Sequence, residues 1–140
     1  MSVQALQELQ ARLVSGTALQ SFFVTQYAKA PTVLIGYKSP NANSYPQICI
    51  VLVRSKIGGL TGDDLTVSVV AGVNAPDYVN GQSQGVLDTI GIAKLIIDRV
   101  NSGAIGAHTF ATGDALVITD QAMQHPFYEI EVNLNLRWRA

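Results

Sequence analysis

Hydrophobic and polar residues alternate over the longest stretch at the C-terminal end of the chain. Tyr128, Ile130, Val132, Leu134, Leu136 and Trp138 interleave with Glu129, Glu131, Asn133, Asn135, Arg137 and Arg139. A side-chain period of two predicts a long strand with one buried face and one wet face. The wet face is acidic where it starts, at Glu129 and Glu131, and basic where it ends, at Arg137 and Arg139. Near the N-terminus the period becomes helical. Val3, Leu6, Leu9 and Leu13 form a stripe among Gln4, Gln7, Glu8, Gln10 and Arg12, with Ser2 placed to cap the helix and Gly16 to stop it. A second helix is predicted from Gly85 to Asn101, about 25 Å long, with Gly103 as its C-cap. Its inward stripe is read as Val86, Ile90, Ala93, Ile97 and Val100.

Between these elements the pattern is shorter. Ser21–Ala28, with Phe22, Phe23, Val24 and Tyr27, reads as a strand, and Thr32–Tyr37 as another beyond Pro31. Lys38 to Gln47, rich in Asn, Ser and Pro, reads as an exposed loop. Ile48–Val53 is continuously apolar, as a central strand covered on both faces would be. Arg54–Asp64 carries glycine-rich turn signals, and Leu65–Val73 alternates again, so the two runs predict an antiparallel hairpin with an irregular polar tip. Ala75–Gln84 reads as a loop and Asp114–Thr119 as a strand. Helices and strands do not alternate as a parallel array requires. The predicted architecture is one α+β domain over residues 1–140, a mainly antiparallel sheet of about four to six strands with two helices packed on it.

Charge changes this picture. Only 14% of residues are charged, against about 25% in a typical soluble domain. So little charge suits a subunit whose surface is partly covered by neighbours. Ile92 and Leu95 add to the surplus of apolar surface, because a helical wheel puts them beside Asp88 and Arg99, away from the predicted inward stripe. Two readings follow, a crevice within the fold or a neighbouring subunit against the outer helix face. Nine basic and ten acidic residues are scattered, without the basic cluster of a nucleic-acid binder. No apolar run is long enough to span a membrane and the N-terminus lacks a signal-peptide pattern, so the chain reads as intracellular when made. Cys49, the single cysteine, sits in an apolar run and reads as a buried thiol.

The residues offer little for catalysis. His108 and His125 are the only histidines and have no Cys or Glu at metal-ligand spacing, although Asp120, Glu129 and Glu131 stand near His125 in sequence. Asp63 and Asp64 follow Gly58, Gly59 and Gly62, the setting of a hairpin tip rather than a two-metal site. Gly81 and Gly85 precede a helix without the lysine of a phosphate loop, and no Gly-x-Ser-x-Gly elbow occurs. The reading is non-enzymatic, with no cofactor and no metal.

From Pro46 to Trp138 the chain resembles the tail-terminator (tail-completion, head–tail joining) proteins of tailed phages and prophages. The matching order is Pro46-Gln47-Ile48 into Val51-Leu52-Val53-Arg54, a glycine- and acid-rich turn ending at Asp64, and the Leu65–Gly72 strand with its Val73–Asp77 exit. The Gly85–Val100 helix follows, then His125-Pro126-Phe127-Tyr128 leading into the alternating strand. The N-terminal helix also fits the family order; the 38–47 loop does not follow it. The resemblance implies a ring, commonly hexameric, that caps the phage tail tube at its head-proximal end and presents a surface to the head-completion or connector protein. Such a protein works in the host cytoplasm during assembly and then in the virion tail. Candidate subunit or tube contacts are Ile92, Leu95, Arg99, Glu129, Glu131, Arg137 and Arg139, with Arg54, Asp63 and Asp64 at the hairpin tip. The rival reading is a small cytoplasmic ligand-binding domain or enzyme with a pocket near the 75–85 loop.

Overall fold

A computed structural model describes residues 2–36, 46–59, 62–74, 78–79, 82–100, 116–119 and 127–138. The chain is α+β. Its elements are α1 (Ser2–Val14), α2 (Thr17–Tyr27), β1 (Thr32–Ile35), β2 (Gln47–Gly59), β3 (Gly62–Asn74), β4 (Tyr78–Val79), β5 (Gln82–Ser83), α3 (Gln84–Val100), β6 (Leu116–Thr119) and β7 (Phe127–Trp138). Five strands form one sheet in the order β1-β2-β3-β7-β6, and β4 and β5 make a separate two-stranded ribbon. β1 runs parallel to β2, and the other ladders are antiparallel.

Alternation along β3 and β7 builds the core. Val67 pairs with Leu134, Val69 with Val132 and Ala71 with Ile130, so these residues share one face, and all six are buried. Ile48 and Ile50 extend that face across β2. Helix residues Ala5, Leu6, Leu9, Leu13, Leu19, Phe23, Ile92 and Ile96 close over it. Each large side chain so buried contributes about 1.5–3 kcal/mol of transfer free energy.

Three sequence expectations are corrected here. Ser21–Ala28 is not a strand but most of α2. Leu19, Phe22, Phe23 and Tyr27 recur at helical spacing, and Leu19 and Phe23 are buried by it. The β-prone run Phe22-Phe23-Val24 yields to that packing, which brings the helices to three rather than two. α2 ends at Ala28 in the left-handed conformation (φ 56°), where its N–H donates to the carbonyl of Val24. In α1, Val3 is exposed and Ala5 takes its place in the core.

The third correction concerns Ile48–Val53; the antiparallel β2–β3 hairpin itself forms as expected, with strand rather than turn over Arg54–Gly59 and Gly62–Asp64. The β2–β3 ladder continues through Arg54↔Thr66 and Lys56↔Asp64 to Gly59↔Gly62. Val53 has no partner where the register shifts between Leu52 and Arg54, and this bulge leaves it 60% exposed. The apolar run Ile48–Val53 is therefore covered only in its first half. Ile48, Cys49 and Ile50 are buried, whereas Leu52 and Val53 are exposed. Cys49 is a buried free thiol, as expected. The expected 38–47 loop falls mostly on residues 37–45, and Gly103 on 101–115, both outside the described residues.

Candidate functional site

α3 exists where the sequence predicts it but is turned about its axis. Its buried residues are Gly85, Asp88, Thr89, Ile92, Ala93, Ile96 and Val100, whereas Val86 and Ile90 of the predicted inward stripe are exposed. At 100° per residue the difference is a rotation of roughly 80°. Contacts from distant parts of the chain set the angle. The Tyr128 ring lies directly on Gly85, so close that a Cβ there would stand 2.1 Å from Cδ2. The Phe22 ring lies over Gly91 at ordinary contact distance from where its Cβ would be. Tyr27 Oη donates to Asp88 Oδ2 at 2.5 Å, and Arg99 Nε donates to the Arg12 carbonyl at 2.9 Å.

These contacts overturn the outer-face reading of Ile92, Leu95 and Arg99. Ile92 is fully buried, and Leu95 packs against the core. Arg99 is part-buried and also donates from Nη2 to Ser15 Oγ at 2.9 Å. The apolar surplus on that side of α3 is an interior crevice filled by α1 and α2. The charges misled the wheel because both are held by partners inside the fold.

The two polar contacts have defined electrostatics. Arg99 and Gln20, whose Nε2 donates to the Leu13 carbonyl at 3.1 Å, satisfy the last carbonyls of α1. A cation at a helix C-terminus is favourable for the same reason. Burial and then the nearby Arg99 charge lower the pKa of Arg12. Burial first, then the hydrogen bond and charge of Asp88, raise the Tyr27 phenol well above its ordinary value, so Tyr27 remains the donor.

The outward arc of α3 carries Val86, Leu87 and Ile90, exposed at 41%, 47% and 58%, with the exposed Lys94 and Asp98. Asp88, Gly91 and Arg99 mark the side of α3 that meets α1 and α2. Val86 and Ile90 lie on the opposite flank. A second apolar corner forms where β1 ends. Ile35, in register with Ile50, is 41% exposed, and Leu52 is 40% exposed beside the bulged Val53. Sequence reasoning missed both patches. The one available signal was the close pair Val86-Leu87 followed by Ile90 and the unusually small Gly85 and Gly91 among bulky neighbours.

The polar face of β7 is less wet than predicted. Glu129 is buried, and Gln47 and Ser68 on the same face of the sheet are buried with it. Glu131 accepts a hydrogen bond from Ser68 Oγ at 2.6 Å. Further along, Asn135 is exposed and accepts from Thr66 Oγ1 at 3.1 Å. The acidic end of the strand is thus taken up within the fold. Of the three hairpin-tip candidates, Asp63 and Asp64 directly follow the Gly59↔Gly62 end of the β2–β3 ladder, whereas Arg54 lies farther back along it. Arg54 is an exposed residue of β2 opposite Thr66, and Asp64 stands in register between Lys56 and Arg137. Asp63 is in register with Trp138. Arg139, Asp120, both histidines and much of the 75–85 loop lie outside the described residues.

Among the described residues no group of three or more His, Cys, Asp or Glu is arranged to hold a metal ion. No described helix is long and apolar enough to cross a membrane. Comparison with models of known protein families finds no match, and comparison with curated proteins finds none either.

Proposed function

We propose that this chain is a structural virion protein of the tail-terminator type. It assembles as a ring, of six copies by the family resemblance, at the head-proximal end of a phage tail. The ring ends growth of the tail tube and offers the attachment surface to the head-completion or connector protein. The reading is non-enzymatic, and its place is the host cytoplasm during assembly and the virion tail afterwards. The observation that carries it is the outward apolar arc of α3, Val86, Leu87 and Ile90, on a chain with only 14% charged residues. Apolar side chains grouped on one helix face favour burial against another protein surface. The assembly contact moves from Ile92, Leu95 and Arg99 to these three residues. Glu129 and Glu131 no longer serve as docking charges, because they are engaged within the sheet.

The test is electron microscopy of lysates from a phage carrying the gene, with the gene deleted and then supplied in trans. Overlong tails without heads establish length termination. Normal tails beside full, unattached heads assign the joining step instead, and intact infectious particles refute both. Complementation by Ile90→Asp, which leaves the core untouched, is expected to fail.

A further inference from the structure

We draw no further inference here: the strongest candidate, the exposed apolar corner of Ile35, Leu52 and Val53 where β1 ends beside β2, is an unpartnered surface patch, and nothing in the structure shows what covers it.

Discussion

Gly85→Ala sets two effects of opposite sign against each other. Helix propensity favours alanine over glycine by up to about 1 kcal/mol in a helix interior, and less at the second residue of α3. Packing opposes it. The new Cβ would stand 2.1 Å from Cδ2, 2.3 Å from Cε2 and 2.7 Å from Cγ of Tyr128. Carbon atoms sit about 3.5–4.0 Å apart at their optimum, so the ring or the helix has to yield by roughly 1.5 Å. Overpacking of this kind costs about 1–3 kcal/mol, and Tyr128 also packs against the core. The net expectation is destabilisation by about 1–2 kcal/mol, or a Tm lower by about 3–7 °C for a domain of this size. Urea and thermal unfolding followed by circular dichroism read it directly. A double-mutant cycle with Tyr128→Ala isolates the cause, because removal of the ring should cancel most of the Gly85→Ala penalty. A neutral or stabilising Gly85→Ala would refute the argument that this contact fixes the rotation of α3.

Ile92→Asp should abolish folding or cost more than about 3 kcal/mol, since it puts a charge at a fully buried position. Ile90→Asp should change stability by under about 0.5 kcal/mol, and equal losses in urea titrations would mean that α3 is not turned as described. Arg99→Ala should destabilise by about 1–2 kcal/mol by removing the hydrogen bonds to the Arg12 carbonyl and to Ser15 Oγ, with Arg99→Lys recovering part of the loss in the same assay. Alkaline unfolding reports on Tyr27. Its folded pKa lies above its ordinary 10.0, so its contribution is fully present below pH 10 and declines as pH rises beyond it, where only the unfolded chain releases the proton. Tyr27→Phe is expected to be less stable at neutral pH and to lose less stability above pH 10. An unchanged alkaline slope would dismiss the Tyr27–Asp88 contact as its source.

Much of the frame was legible because its periods are long. Eleven of the residues of β7, Tyr128 to Trp138, alternate strictly, so one face had to be apolar, and Ile130, Val132, Leu134 and Leu136 are buried as the pattern requires. The α1 stripe and the existence of α3 follow from helical spacing in the same way. α2 was misread because Phe22-Phe23-Val24 is locally β-prone, and only its packing against α3 and into the shared core makes the helix the better use of Phe23.

The rotation of α3 was beyond the sequence for a different reason. Apolar residues surround that helix, from Val86 and Leu87 through Ile90, Ile92, Leu95, Ile96 and Ile97, so its pattern alone supports several inward faces. The deciding partners stand 61 residues away, at Tyr27, and 87 away, at Arg12, and no local window contains them. The candidate site changed with that angle, from Ile92, Leu95 and Arg99 to Val86, Leu87 and Ile90. Sequence by itself determined the class of fold, the elements with long periods and the shortage of charge. Tertiary structure decided which apolar residues remain outside, because buried polar groups settle where they find partners and the helix turns to let them.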